Sequence, residues 1–420
     1  MKHTMLSTVT ALLPLMLMGC GGAQQHEKEL EVKPEVLQQY IEGKPEPLQR
    51  LYARIPKEGD RNVVLNQNRI GLAAFQLGEY ALAAEALDSS IAKVEAIYAD
   101  NEAAEKARSV FFKENAKEYK GDAYERTMLY YYRGLTYMAS GDYENARASF
   151  KAAMLQDSFA EEAEYRADFA SIAFLEGWTS QCLADTAQAT ERYKEATTLN
   201  EHIVPPSSKD NLLVIYEAGA APIKKRDDEQ LEALVYERGT SPNVQQVGFM
   251  VNGKNTTLFA AEDVYWQAIT RGGREIDKVL RGKADFKEGA SAVGELSVAT
   301  ATTGVSMMND FVAQGHEGAA GAAGVVSGVA LLAGLVAKAA ESSAQIDADI
   351  RYWDNLPNIL YIATANVPYG TNSVQISKVE NNQPSESYVK INWKNQCGLV
   401  WGRQVSSLSV ADSAPNAVAE

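Results

Sequence analysis

The feature that most constrains the fold of this chain is a helical pattern over residues 36–201. Ala, Leu, Glu and Tyr are dense there, and apolar residues recur three and four positions apart, which is typical of amphipathic helices. One stretch adds a fixed set of offsets, namely Gly134, Gly141, Ala146 and Phe150. Small residues let two helices cross closely, the second glycine makes a turn, and the ring fills the space beside the crossing. The pattern predicts stacked α-hairpins.

The stretch around Gly134 resembles a tetratricopeptide repeat (TPR). A second copy with the same offsets begins at Gly71, and a weaker third copy begins at Gly177. These glycines are 63 and 43 residues apart, whereas the family period is about 34. We therefore expect elongated helices or an inserted hairpin. The resemblance implies a domain of TPR-like helical repeats over residues 35–205.

Repeats of this type present a groove lined by the first helix of each hairpin. By position, the groove is aromatic and apolar and comprises Asn68, Leu72, Phe75, Tyr131, Leu135, Met138, Phe174 and Trp178. An apolar groove open to water is unfavourable, so we expect an occupant. Two occupants remain open at this point: a peptide or helix of a partner protein, or the C-terminal half of the chain itself.

A different kind of domain follows over residues 206–408. Pro205 and Pro206 break the helical register. Short runs rich in β-branched and aromatic residues, separated by turn residues, then predict strands. They cover residues 211–217, 244–251, 256–259, 357–367, 373–379, 387–393 and 398–405. The predicted fold class is α+β, with TPR-like helical repeats followed by a mixed domain of β-strands around a Gly/Ala-rich helix. Residues 409–420 are expected to form a flexible tail.

The Gly/Ala-rich helix is predicted within a helical block that runs from about Ala261 to Ala348. Its residues 318–337 carry no charge and include five Gly and seven Ala. At 1.5 Å per residue this length just suffices to cross a bilayer. Each Gly costs about 0.8–1.0 kcal/mol relative to Ala in a helix, so a close backbone contact must offset them. Two interpretations remain open: a buried core helix, or a glycine-zipper helix that inserts into membrane or self-associates.

The N-terminal sequence indicates an export signal followed by a lipidation site. Lys2 is followed by an uncharged apolar run, so residues 1–19 are predicted to be a signal peptide. The ending Leu17–Cys20 resembles the bacterial lipobox, which implies acylation, for example by palmitate, of Cys20. Residues 20–34 form a polar tether. Gly21 instead of Asp after the cysteine resembles Gram-negative lipoproteins sorted to the outer membrane, which implies a lipid anchor that faces the periplasm.

Charge limits the partners. The chain has 40 Lys and Arg against 55 Asp and Glu, a formal net charge of −15, which argues against nucleic acid. One basic patch is an exception and contains Arg271, Arg274, Lys278 and Arg281. Three interpretations remain open: it binds phosphate or carboxylate groups, it is a solvated face among interleaved acidic residues, or it docks onto the acidic helical domain of the same chain.

Catalytic patterns are absent from the sequence. It has no Walker loop, GxGxxG, GxSxG or HExxH motif, and we predict no metal, no cofactor and no enzyme activity. Asp349 and Arg351 lie in a short cluster of carboxylates and aromatics, which suits ligand binding, acid–base chemistry or a locally paired helix end. Cys182 and Cys397 are either a disulfide or two buried free thiols.

Three segments make most of the chain resemble a family of uncharacterised proteobacterial outer-membrane lipoproteins with N-terminal TPR-like repeats. The segments are Tyr119–Arg126, Gly219–Lys224 and Asp349–Pro357. The resemblance implies no activity. We expect a lipid-anchored envelope adaptor that binds envelope proteins through its repeats. The alternatives are a C-terminal domain that binds or acts on an envelope glycan or lipid, and a homo-oligomeric assembly built on the Gly-rich helix.

Overall fold

The computed structural model describes residues 29–98, 118–158, 168–226, 234–239, 244–270 and 349–404. A helical region comes first and β-sheets follow, so the fold is α+β. The helices of the first region are α1 (Pro34–Ile41), α2 (Glu46–Glu58), α3 (Val63–Gln76), α4 (Tyr80–Tyr98), α5 (Ala123–Ser140), α6 (Tyr143–Asp157), α7 (Ala170–Cys182) and α8 (Thr186–Leu199).

Three successive hairpins, α3–α4, α5–α6 and α7–α8, share one packing device. In the first helix of each, a glycine lies against a large side chain sixteen residues later in the second helix. A Cβ atom added to that glycine would lie 2.5–2.7 Å from the side chain. The three pairs are Gly71 with Leu87, Gly134 with Phe150, and Gly177 with Tyr193. The glycines are therefore required by helix packing.

The turns of these hairpins also share a position. Gly78, Gly141 and Ala184 each have a positive φ and each lie seven residues after the packing glycine. Glycine adopts this conformation without steric cost, and it commonly ends a helix there. The third turn uses alanine instead, which explains why this copy is weakest in the sequence.

The described residues of the C-terminal region form three sheets. The strands are β1 (Leu212–Ala218), β2 (Ile223–Arg226), β3 (Leu234–Glu237), β4 (Val244–Val251), β5 (Lys254–Thr257), β6 (Phe259–Asp263), β7 (Ile359–Ala365), β8 (Ser373–Glu380), β9 (Gln383–Lys390), β10 (Asn392–Lys394) and β11 (Cys397–Arg403). A five-stranded sheet has the order β10-β11-β1-β7-β6, a four-stranded antiparallel sheet has the order β5-β4-β8-β9, and β2 pairs with β3. A short helix, α9 (Val264–Ile269), follows β6.

The five-stranded sheet is the middle of three layers. Strand β1 is buried along its whole length, and its side chains alternate between two faces. Leu213 and Ile215 belong to the core shared with the helices, whereas Leu212 and Val214 belong to the core shared with the four-stranded sheet. Because both faces of β1 are buried, its sequence is apolar over consecutive residues and does not alternate between apolar and polar.

The strand predictions agree with the structure except at four places. Strands β2 and β3 were not predicted. The predicted strand 387–393 is two strands, because the chain passes from the four-stranded to the five-stranded sheet at Ile391. The predicted strand 256–259 is divided at Leu258 between β5 and β6. The helical block begins at Val264 and not at Ala261, because residues 259–263 pair with β7. Most of that block, with the Gly/Ala-rich segment 318–337, lies outside the described residues.

Candidate functional site

The predicted groove is covered by the chain's own five-stranded sheet. All eight side chains assigned to it are buried, each at most 3% exposed: Asn68, Leu72, Phe75, Tyr131, Leu135, Met138, Phe174 and Trp178. The apolar members form one core with side chains of β1, β7 and β11. An open groove that receives a partner peptide is therefore the wrong interpretation. The strongly apolar face is buried inside the molecule, and we call it the covered groove.

Ring contacts show how closely the two layers fit. The ring of Phe75 meets that of Trp401 edge to face, with centroids 5.1 Å apart. Phe174 meets Phe259 in the same way at 5.8 Å. Such contacts add about 0.5–1.5 kcal/mol beyond the burial of area. The sheet is thus packed against the helices as in a single core.

A carboxylate lies in the middle of the covered groove. Period-two alternation places Glu217 of β1 on the helix-facing side, beside Ile215. Its oxygens accept hydrogen bonds from the hydroxyl groups of Tyr131 (3.0 Å) and Tyr132 (2.7 Å) and from Nε1 of Trp401 (2.9 Å). The guanidinium group of Arg403 lies 3.7 Å away. Burial raises the pKa of Glu217, although the arginine and these donors oppose the rise.

A second buried cluster joins the three segments that carry the family resemblance, and we call it the polar junction. Glu125 accepts hydrogen bonds from the hydroxyl of Tyr119 and from the backbone N–H of Trp353, both at 2.6 Å. It also accepts one from the backbone N–H of Asp122 at 2.7 Å, as in a capping box at the start of α5. Nζ of Lys224 lies 2.8 Å from the Asp122 carboxylate, and both side chains are buried.

Burial, followed by the negative charge of Asp122, raises the pKa of Glu125, while Lys224 and the donors oppose the rise. Burial also raises the pKa of Tyr119, which lies beside Glu125. The hydrogen bonds to the Glu125 oxygens all come from donors within the protein. The cluster therefore holds the chain segments that supply those donors in place. A buried ion pair of this kind contributes little net stability but strongly penalises the loss of one partner.

The cluster around Asp349 and Arg351, a candidate ligand site in the sequence, also joins the C-terminal region to the helices. The guanidinium group of Arg351 binds the Asp349 carboxylate at 2.7 and 2.8 Å and donates to Oδ1 of Asn62 at 2.7 Å. Three residues after Arg351, Asp354 accepts two hydrogen bonds from Arg69, at 2.7 and 3.0 Å. The cluster is therefore a contact between the C-terminal region and the helices. Its charges are used within the protein, as the locally paired interpretation predicts.

Glu262 of β6 is another buried carboxyl group at the contact between the layers. It accepts hydrogen bonds from the backbone N–H and hydroxyl of Ser171, at 3.2 and 3.3 Å, near the start of α7. Nε2 of Gln267 donates to its other oxygen at 2.8 Å. Burial, together with the negative charges of Asp157 and Asp168, raises the pKa of Glu262 to about 8.

Cys182 and Cys397 are joined by a disulfide in the structure, with their Cα atoms 6.1 Å apart. The bond links the end of α7 to the start of β11. It closes the covered groove at one end, because β11 belongs to the sheet that covers it. Of the two states that the sequence left open, the structure has the bonded one.

Several predicted sites lie outside the described residues. They are the lipidation site Cys20 and the basic patch Arg271, Arg274, Lys278 and Arg281. Among the described residues, no three or more His, Cys, Asp or Glu side chains are arranged to hold a metal ion. In the same part of the chain, no helix combines the length and the hydrophobicity that a bilayer crossing needs.

The buried glutamates were missed by sequence analysis, although two of them left a signal. Glu217 is an acidic residue at the end of the apolar run of β1. Burial of a carboxylate there would destabilise the fold unless the carboxylate is hydrogen-bonded or paired. Asp122 and Glu125 have the spacing of a capping box ahead of a helix. Glu262 gave no such signal, because the strand that buries it was predicted as helix.

The chain matches no family model, and comparisons with curated proteins and with solved structures likewise find no match.

Proposed function

We propose that this protein is a lipid-anchored adaptor of the outer membrane that faces the periplasm and binds other envelope proteins. The anchor is the acylated Cys20 that follows the signal sequence. The disulfide between Cys182 and Cys397 supports the location, because such bonds persist in oxidising compartments and are rare in the cytosol. This disulfide is the observation on which the proposal mainly rests.

We further propose that the three hairpins are TPR-like repeats. The shared packing glycines and the shared positive-φ turns support this assignment. Buried alanines follow at one common offset in the second helices, at Ala83, Ala146 and Ala189. The likeness to the lipoprotein family fits the same proposal, since the three segments that carry it meet in the polar junction.

The partner must bind outside the covered groove. Displacing the sheet would expose the shared apolar core and break the contacts of Glu217, so a partner peptide could not compensate for that cost. The second helices of the hairpins remain accessible. They carry single exposed apolar side chains, Leu155 on α6 and Leu199 on α8, and we propose this outer face as the adaptor surface.

Photo-cross-linking in the native cells tests the adaptor. A photoreactive amino acid replaces Leu155 or Leu199, and Val204, which is exposed on the loop after α8, is the matched control position. We expect adducts with a small set of envelope proteins from the helix positions and not from the control. An absence of specific adducts at both helix positions would contradict the proposed function.

Membrane attachment needs its own test. We expect mass spectrometry of the native protein to find acyl groups on Cys20 as the first residue. A Cys20→Ser variant should leave the membrane fraction. An unmodified N-terminus would contradict the anchor, whatever the outcome for partners.

A further inference from the structure

Strand β9 has one edge that no described strand covers. It is the last strand of the order β5-β4-β8-β9. A type I′-like turn with positive φ at Asn381 and Asn382 joins it to β8. Unpaired backbone groups on such an edge are a template for another strand.

The backbone groups on the free edge can be identified. In an antiparallel pair, residues alternate between those that bond to the neighbour and those that point away. The N–H of Ile391 donates to the carbonyl of Asn372 at 2.9 Å, in continuation of the β8–β9 register. Odd-numbered residues of β9 therefore bond to β8. Glu386, Tyr388 and Lys390 direct their N–H and C=O groups to the free edge.

The same three residues also share the outer face of the sheet, because side chains alternate with period two. All three are exposed, and Tyr388 is 75% exposed. Pro384 occupies the preceding edge position, where it offers no N–H, so the usable edge is limited to three residues.

We propose that this edge binds the same edge of a second copy of the chain, in an antiparallel pair centred on Tyr388. This register places Tyr388 opposite its own counterpart. It also places Glu386 opposite Lys390 of the second copy, twice by symmetry, so opposite charges face each other across the pair. All three residues form bonded pairs, for about six backbone hydrogen bonds, and Pro384 stays outside.

Other registers fit less well. A shift of the centre to residue 387 brings Pro384 opposite Lys390 and Glu386 opposite Tyr388, which loses both charge pairs and part of the ladder. A shift toward residue 389 leaves only Tyr388 and Lys390 to pair. Proline and charges often protect edges from association. Here the charges are complementary under two-fold symmetry, so they select one register.

Cysteine cross-linking of the purified full-length chain tests the register. We expect Tyr388→Cys to form a disulfide-linked dimer under mild oxidation, since bonded antiparallel partners have Cα atoms about 5.5 Å apart. The matched control is Glu386→Cys. In this register its counterpart lies four residues along the strand, about 13 Å away, and it should not cross-link. Equal cross-linking at both positions, or none at 388, would overturn the proposal.

Charge exchange gives the second test. In sedimentation at high protein concentration, Glu386→Lys should weaken dimerisation by about tenfold, since both pairs become repulsive. The double variant Glu386→Lys/Lys390→Glu should restore wild-type dimerisation. Dimerisation that persists unchanged in Glu386→Lys would assign the association to another surface, such as the Gly-rich segment. If Tyr388→Cys is instead oxidised in the native cells, adducts with a different protein and no homodimer would show a foreign strand on this edge and would also contradict the proposal.

Discussion

Replacement of Glu262 by glutamine should change how the stability of this protein depends on pH. Glu262 is 7% exposed and its pKa is raised from 4.5 to about 8, first by burial and then by nearby acidic charges. The unfolded chain loses this proton near pH 4.5, while the folded chain keeps it until about pH 8. Between these values the folded state holds the extra proton, so the free energy of unfolding falls as the pH rises.

The size of the effect follows from the shift. One pH unit corresponds to about 1.4 kcal/mol, so a shift from 4.5 to about 8 amounts to about 5 kcal/mol by the upper end of the window. Glutamine has the same size, keeps an acceptor for Ser171 and cannot ionise. Relative to wild type, Glu262→Gln should gain stability as the pH rises through this window and reach a plateau above it.

Urea unfolding of both proteins between pH 4 and 9 measures this difference. The other buried glutamates, Glu125, Glu176 and Glu217, remain in both proteins, so their contributions cancel. Glu237→Gln, an exposed residue of β3, is the matched control and should follow the wild-type profile. A constant difference between Glu262→Gln and wild type at all pH values would contradict a raised pKa of Glu262 in the folded protein. A variant that loses stability relative to wild type toward pH 8 would contradict it as well.

Three further variants test the packing inside the helical region and its contact with the sheet. Serine at both Cys182 and Cys397 opens a loop of 215 residues and should cost about 5 kcal/mol by the chain-entropy estimate, seen as a lower urea midpoint. Gly134→Ala places a methyl group within 2.5 Å of an aromatic ring and should cost about 1–3 kcal/mol, seen as a lower melting temperature. Tyr132→Phe removes the 2.7 Å hydrogen bond to buried Glu217 and should cost about 1.5–3 kcal/mol, measured by the same unfolding assay.

Each of these has a result that would count against it. Wild-type stability of the double serine variant under oxidising conditions would mean that the two sulfurs are not bonded. A stable Gly134→Ala protein would mean that α5 and α6 cross less closely than described. For the tyrosine, Tyr388→Phe on the exposed edge strand is the control, and equal losses in the two variants would contradict a special role of the buried hydroxyl.

The α-hairpins could be predicted from the sequence because their signals are local. The offsets of Gly134, Gly141 and Phe150 each report a steric demand within one hairpin: a close crossing, a positive φ and a filled space. Most strands were equally visible, since strand β1 is an apolar run and Asn252 and Gly253 mark a tight turn.

The contact between the two regions could not be predicted, because it depends on pairs that are distant in the chain. The apolar groove required an occupant, but nothing local distinguishes the sheet of this chain from a foreign peptide. The partners of Glu125 and Glu217 are likewise set by packing: Trp353 lies 228 residues from Glu125, and Tyr131 lies 86 residues from Glu217. Arg351 looked like a binding residue for the same reason, since its partner Asn62 is 289 positions away.

The chain's own sheet covers the groove of the helical hairpins and is fastened there through β11. Peptide mapping of the native protein without reduction tests it most directly. We expect a single linked species that contains the peptides of Cys182 and Cys397 and separates on reduction. Recovery of the two peptides apart, with both thiols free to alkylate in the unfolded but unreduced protein, would contradict it.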